Sequence, residues 1–283
     1  MKKKHTLKII AAAGAFAMVL TLLPAGSAQA AATYLPTKEV QYSQENGKWV
    51  KTHSEDTIYN KRGAVVKSVN TEYIEGAKYV STRKNTYKGS KLTSEKTYLN
   101  GKLIYKMKVS YKKGLPNVMK TKYGTRSAKT VFKYKGKLPV TVTTTLYEKN
   151  KKNGYEKYIY KKGRLVSKTH YSYNRKIVDK YSYKNGDRVK IVSTTYINGK
   201  KKYSGTSKYT YKKHRLVKCV DSSGGTTTYS YKYYKNNTIK ESIVTQNFGD
   251  MPFRMKTVYS GLKKFKSTPA SSILDECRPY LGE

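Results

Sequence analysis

The feature that most constrains the fold is a tight turn that recurs along most of the chain. Seven times an aromatic-rich segment ends in a short basic turn, and in most copies an aliphatic residue opens the next segment. The copies start at Tyr59, Tyr98, Tyr111, Tyr134, Tyr160, Tyr183 and Tyr196. Asn-Gly pairs such as Asn100-Gly101 supply the positive φ angles that two-residue hairpin turns need. Successive turn glycines from Gly101 to Gly199 lie 13 to 27 residues apart, which is the spacing of strands and hairpins rather than of helical repeats.

Between the turns the side chains alternate with a period of two, as in a β-strand. One face carries Leu103, Tyr105, Met107, Val109 and Tyr111, and the other carries Lys106, Lys108, Ser110 and Lys112. Single hairpins are not stable alone, so neighbours must stack. We therefore predict an all-β protein of stacked antiparallel β-hairpins that form an extended twisted or curled sheet, packed largely by tyrosine rings.

The two ends of the chain depart from the repeat of residues 58–239. Residues 31–57 hold the single tryptophan, Trp49, and predict an N-terminal cap built on one irregular hairpin. Over residues 240–283 the Tyr-x-Tyr pattern disappears. We expect a short C-terminal cap there, with a helix that Thr268 caps and Pro269 starts.

The first thirty residues have the three parts of an export signal. Lysines at positions 2 to 4 precede an apolar run from Ile9 to Leu23, and an Ala-Gln-Ala site follows. We predict a bacterial secretory signal peptide over residues 1–30 that is cleaved between Ala30 and Ala31. The apolar run is shorter than the roughly 20 residues of a spanning helix. The expected location is extracellular or associated with the cell wall, with no membrane span after cleavage.

The charge balance is strongly one-sided. The chain has 59 basic and 17 acidic residues, and removing the four lysines of residues 1–30 leaves a net charge of +38. Such a charge exceeds what solubility requires and attracts polyanions. Because 50 of the basic residues are lysines, they offer point charges rather than planar forks. The expected partner is a diffuse anionic polymer that is bound with little sequence specificity.

Alternate lysines on one strand lie about 7 Å apart, and stacked strands extend them into a grid. The candidate polyanion-binding residues are Lys106, Lys108, Lys112, Lys161, Lys162, Arg164, Lys212, Lys213 and Arg215. Such a grid suits the charges of teichoic acid, acidic polysaccharide, lipopolysaccharide or nucleic acid. The alternative is that the lysines protect the sheet from aggregation. For the tyrosines, sheet packing is the main expectation, and a platform for sugars or bases is the alternative.

The sequence offers little to support catalysis. His53, His170 and His214 are isolated and lack metal-ligand spacing, and no nucleophile elbow, zinc-protease motif or phosphate-binding loop is present. We predict a protein that is not an enzyme and has no cofactor or metal. Either a disulfide between Cys219 and Cys277 or two unpaired thiols fits an exported chain.

Two segments, Tyr158-Ile-Tyr160-Lys-Lys-Gly163-Arg-Leu165 and the stretch from Tyr209 to Tyr231, resemble the YD repeats of bacterial Rhs and wall-associated proteins. Lys161 and Lys212 stand where those repeats carry aspartate. Around Tyr98-Leu-Asn-Gly101-Lys-Leu and Tyr111-Lys-Lys-Gly114 the chain is more loosely similar to MORN-type hairpin repeats. The resemblance spans about residues 59–235, and it implies β-sheets that curl into a shell or spiral and are not themselves enzymes.

Export, repeat and charge together predict a secreted bacterial protein of the cell envelope. It is expected to adhere to teichoic acid or acidic polysaccharide through a lysine-rich sheet face. One alternative is a secreted cationic effector or toxin-like protein that binds nucleic acid or membranes. A further alternative is an enzyme that acts on polysaccharide, which requires two acids to meet across a cleft.

Overall fold

A computed structural model describes residues 33–248, 251–265 and 273–278, which form eighteen β-strands and one short helix. The strands are β1 (Thr33–Glu45), β2 (Lys48–Tyr59), β3 (Val65–Ile74), β4 (Ala77–Lys88), β5 (Lys91–Leu99), β6 (Lys102–Lys112), β7 (Leu115–Tyr123), β8 (Arg126–Lys135), β9 (Leu138–Glu148), β10 (Lys151–Lys161), β11 (Arg164–Ser172), β12 (Arg175–Lys184), β13 (Asp187–Ile197), β14 (Lys200–Lys212), β15 (Arg215–Asp221), β16 (Thr226–Tyr233), β17 (Ile239–Phe248) and β18 (Met251–Phe265), and the helix is α1 (Ile273–Glu276). The predicted signal peptide with its Ala30/Ala31 cleavage site, and the predicted cap residues Thr268 and Pro269, lie outside the described residues.

The sheet closes on itself. Each strand pairs antiparallel with the next, and β1 pairs with both β2 and β18. The seam runs from the pair Thr33↔Phe265 to the pair Ser43↔Met255. The all-β class and the antiparallel hairpins are confirmed, but the expectation of an extended twisted or curled sheet is wrong. Segments 31–57 and 240–283, which the sequence pattern sets apart, contribute strands whose free edges pair with each other, and closure removes both edges.

One glycine allows the seam strands to approach closely. Gly261 in β18 has a φ of +64°, and the Thr37 hydroxyl of β1 donates a hydrogen bond of 2.7 Å to its carbonyl oxygen. A Cβ atom at position 261 would collide with that same hydroxyl oxygen. The seam therefore requires a residue without a side chain at this position.

Closure gives the sheet two different faces. In β6, Met107 and Val109 are buried, whereas Lys106 and Lys108 are exposed. Because alternate residues of a barrel strand face the lumen and the outside, the buried set lines the lumen. The predicted alternation is confirmed here except at Leu103, which is 46% exposed beside a register shift at the start of the strand.

Tyrosines mark one end of the barrel, which we call the tyrosine rim. Eight strands reach this rim with a tyrosine at a register shift just before the hairpin turn, namely Tyr59, Tyr87, Tyr111, Tyr134, Tyr160, Tyr183, Tyr211 and Tyr233. Several of their hydroxyls donate to a carbonyl of the preceding strand, as Tyr111 does to Leu92 and Tyr183 to Leu165, both at 2.8 Å. These bonds tie one rim hairpin to the next.

The C-terminal residues 273–278, which we call the plug, pack against the lumen side of the sheet near the tyrosine rim. Leu274 is 2% exposed and Cys277 is fully buried, within the cluster formed by Met107, Met119, Phe132, Val142, Tyr158 and Leu165. The Tyr160 hydroxyl of β10 donates to Glu276 Oε2 at 2.9 Å. Arg278 Nη1 donates to Glu95 Oε1 of β5, also at 2.9 Å. The plug therefore links strands that are five apart in the barrel.

Removing one rim hydroxyl tests this arrangement. Tyr111→Phe should lower the free energy of unfolding by about 1 kcal/mol, because the Leu92 carbonyl loses its side-chain donor. Tyr98→Phe is the matched control, since Tyr98 faces the outside below Lys84. The measurement is the urea midpoint of each variant. Equal midpoints for the two variants would contradict the role of the rim hydroxyls.

Candidate functional site

The candidate site is a pair of lysine rows on the outer face, which we call the lysine girdle. In the first row each lysine lies directly opposite the next on consecutive strands β3 to β7, and its members are Lys67, Lys84, Lys96, Lys106 and Lys122. The second row crosses β6 to β8 with Lys108, Lys120 and Lys129. Seven of the eight are exposed, and Lys67 is half-buried. The hairpin register thus brings together lysines that are up to 62 residues apart in the chain.

The girdle works against the stability of the sheet. Like charges directly opposite on neighbouring strands are destabilising. The two rows contain six such pairs. Alternating lysine with glutamate would keep the same surface polar and remove the repulsion. The rows therefore form a continuous positive surface on the outside of these strands.

Two buried carboxylates lie on the other side of the sheet from the girdle. Among the described residues, no girdle lysine lies within 4.0 Å of a carboxylate. The buried acids Glu95 and Glu156 face the lumen, where Arg278 pairs with the first and Lys168 with the second. Since the sheet separates the girdle lysines from these two acids, neither acid compensates the charge of the girdle.

Some of the residues predicted from the sequence fall in the girdle and others do not. Lys106 and Lys108 belong to it, and Lys112 is exposed at the rim end of β6. The others cluster at two rim turns, Lys161, Lys162 and Arg164 between β10 and β11, and Lys212, Lys213 and Arg215 between β14 and β15. There, Arg215 stacks 4.0 Å from the centre of the Tyr233 ring and Arg164 lies 5.8 Å from that of Tyr183, so both contact tyrosines of the rim.

Sequence reasoning missed most of the girdle. Lys67, Lys84, Lys96, Lys120, Lys122 and Lys129 have no motif of their own, because each becomes significant through its partner on the next strand. The signal that could have found them is the hairpin register. Counting outward from the Asn100-Gly101 turn pairs Lys96 with Lys106 once the bulge at Tyr98 is allowed for.

A second charged cluster lies in the lumen, around Glu156. Its carboxylate contacts Lys168 Nζ at 3.0 Å, accepts the Tyr158 hydroxyl at 2.9 Å, and lies 3.4 Å from His170 Nδ1. Burial raises the pKa of Glu156, but the contacts with His170 and Lys168 outweigh it and hold the pKa at about 2, against an ordinary 4.5. Glu156 is buried and its partners favour its ionised form, so the ionised cluster contributes to the stability of the barrel.

The Glu156 cluster predicts a defined pH dependence. A depressed folded-state pKa contributes stability that is complete above pH 4.5 and is lost as the pH falls toward 2. The full contribution is roughly 3 kcal/mol, from about 1.4 kcal/mol per pKa unit. The unfolding free energies of the wild type and Glu156→Gln should therefore converge over this window in urea titrations. The control Glu75→Gln, at an exposed turn, should track the wild type, and parallel profiles for Glu156→Gln and the wild type would refute the assignment.

The two cysteines are free thiols in the structure. Cys277 is buried in the plug, where it hydrogen bonds with the Tyr160 hydroxyl at 3.2 Å, and burial raises its pKa to about 12. Cys219 lies opposite Tyr209 on β14 and is partly exposed, and burial raises its pKa as well. Of the two alternatives left open by the sequence, the structure contains the unpaired thiols.

Thiol labelling distinguishes these environments. A maleimide at pH 7 should label Cys219 slowly and leave Cys277 unmodified until the protein unfolds, because both burial and a raised pKa suppress the thiolate. Mass spectrometry of the native and the urea-unfolded protein, both without reductant, gives the number of modified cysteines. Failure to label either cysteine after unfolding would show a disulfide instead.

Comparison with known proteins finds only weak structural similarity. No family model matches the chain, and no curated protein matches it. A porin-like protein from Bacteroides uniformis aligns with a TM-score of 0.48 at 8% identity, covering 81% of this chain and 98% of that one. A porin-like protein from Bacteroides vulgatus aligns with a TM-score of 0.37 at 10% identity, covering 80% of this chain and 98% of that one. Neither likeness is strong enough to bear on function. The described residues contain no helix with the length and hydrophobicity that a bilayer crossing requires.

Proposed function

We propose that this protein is exported and associates with the cell envelope by binding an anionic polymer, teichoic acid or acidic polysaccharide, through the lysine girdle. The observation that carries the proposal is the two rows of directly opposed lysines. Their mutual repulsion works against stability, and a bound polyanion would relieve it. The predicted signal peptide supplies the export.

The spacing of the girdle supports a polymeric ligand. Neighbouring strands lie about 4.8 Å apart, so five lysines in the first row cover roughly 19 Å, and lysines two residues apart on one strand are about 7 Å apart. A chain of phosphates or carboxylates can therefore meet several lysines in more than one direction. Such binding depends on charge density and not on ligand sequence, as expected for lysine point charges.

The outer face is also unsuited to lipid. A lysine on the lipid-facing side of a membrane barrel costs roughly 2 to 4 kcal/mol at the bilayer midplane. Girdle lysines such as Lys96, Lys106 and Lys129 lie within their strands and not at the turns. These positions support contact with water and polymer on this side of the barrel.

Neutralising the first row tests the proposal. Lys84→Gln, Lys96→Gln, Lys106→Gln and Lys122→Gln combined should weaken binding of the chain 31–283 to isolated cell walls by about 100-fold or more at roughly 0.1 M salt. Each lysine beside an anionic surface contributes about 1 kcal/mol. The unfolding free energy should rise, because like-charge pairs disappear. The measurement is cosedimentation across a salt series, with walls that retain or lack teichoic acid.

The matched control has the same net charge as that variant, but its four substitutions lie at the rim of the barrel opposite the tyrosine rim. Lys48, Lys78, Lys151 and Lys200 are exposed there and lie outside the girdle. Replacing these four by glutamine should change wall binding far less. Equal losses for both variants would show that total charge alone acts, and salt-resistant binding by the girdle variant would refute the proposal. Tighter binding to DNA than to walls would favour the nucleic-acid alternative.

A further inference from the structure

The outer face holds a groove lined by tyrosines at the rim opposite the tyrosine rim. Its volume is about 450 Å³, within the range of roughly 300 to 1,000 Å³ for small-ligand sites. It lies over β11, β12 and β13, and we call it the tyrosine groove. The lining residues are Tyr171, Tyr173, Asn174, Lys176, Tyr196, Asn198 and Gly199.

Two of the rings are exposed to solvent. Tyr173 is 71% exposed and Tyr171 is 37% exposed. The Tyr171 ring is held in place by Tyr155 on the next strand, with the ring centres 5.5 Å apart and the planes 21° from parallel. The Tyr171 ring of the groove is therefore already oriented before any ligand arrives.

Tyr173 occupies a backbone position that disfavours tyrosine. It is the first residue of the turn between β11 and β12 and has a φ of +53°. Three other turns of this rim have asparagine at the same position, namely Asn46, Asn100 and Asn198, with φ between +46° and +49°. A bulky side chain is strained there, whereas asparagine is tolerated. The exposed ring makes a long hydroxyl contact of 3.4 Å with Glu148 and gains little packing.

The polar groups of the groove complement a sugar. Lys176 lies directly opposite both Tyr171 and Tyr196, and its Nζ is 5.6 Å from the centre of the Tyr196 ring. Asn174 and Asn198 add exposed amides that can donate and accept hydrogen bonds. Flat rings for the face of a sugar, amides for its hydroxyls and one cation for a negative substituent make up a site for an anionic saccharide.

The groove continues a row of the girdle. The opposed residues Lys108, Lys120 and Lys129 are followed on the next strands by Thr145, Tyr155, Tyr171 and Lys176. From Lys129 to Tyr171 the distance is three strands, or about 14 Å. One polymer chain lying across the strands can therefore reach both surfaces.

We propose that the tyrosine groove is a saccharide subsite that stacks a sugar ring of an anionic glycan on Tyr171 and Tyr173 and pairs its negative group with Lys176. The inference rests on the proposed function in that the glycan is the polymer held by the girdle. The groove itself uses ring stacking, which persists when salt screens the more distant lysines.

Calorimetry with two matched tetrasaccharides tests the subsite at about 0.3 M salt. Hyaluronan tetrasaccharide, which carries carboxylates, should bind more tightly than uncharged chitotetraose. Tyr173→Asn should weaken binding of both by about tenfold, through loss of one stacking face, while the melting temperature rises because the backbone strain is relieved. Lys176→Gln should reduce binding of hyaluronan tetrasaccharide to the level of chitotetraose.

The control is Tyr203→Ala, since Tyr203 is 65% exposed but is not part of the groove. It should leave both affinities unchanged. Unchanged affinity in Tyr173→Asn, or no binding of either saccharide by the wild type, would overturn the subsite. Tyr173-dependent binding of oligothymidylate in place of the saccharides would also overturn it. Wall binding that depends on the girdle variant but not on Tyr173 would leave the proposed function standing without the subsite.

Discussion

The antiparallel pairing of β1 with β18 is the interaction on which the rest of the structure depends. Without it the described sheet would have two free edges, and its faces would not differ as inside and outside. Closure over the pairs from Thr33↔Phe265 to Ser43↔Met255 satisfies both edges and encloses a lumen. The close approach at Gly261 belongs to the same seam.

Closure places two buried acids inside the barrel and the girdle lysines outside it, because alternate residues of a strand face opposite sides of the sheet. Glu95 and Glu156 lie on the lumen side, where Arg278 of the plug and Lys168 compensate them at short range. The girdle lysines lie on the outside, and in the described residues none of them has a carboxylate within 4.0 Å. An unscreened positive potential on one convex surface attracts polyanions from a distance, and the tyrosine groove beside it can add contacts of a different kind.

The sequence pattern predicted local structure well and long-range structure poorly. Asn-Gly turns and the alternation around Met107 and Lys108 follow from backbone geometry, and both are present as expected. Tyr98 and Tyr111 looked like equivalent repeats, but Tyr98 faces the outside below Lys84 whereas Tyr111 donates to Leu92 at the tyrosine rim. The turns that follow Tyr98 and Tyr111 lie at opposite ends of the barrel. The residue pattern of a single strand does not show at which end its turn lies.

The sequence by itself determined that this chain forms antiparallel hairpins whose side chains alternate between two faces, because turn chemistry and two-residue periodicity act over a few neighbouring residues. Tertiary structure decided that the sheet closes, that residues 273–278 enter the lumen, and that Lys67, Lys84, Lys96, Lys106 and Lys122 form one row. Each of these outcomes depends on pairing between residues on different strands. Their register follows from β-bulges and from the closure of the whole sheet, so it is not encoded in any single segment.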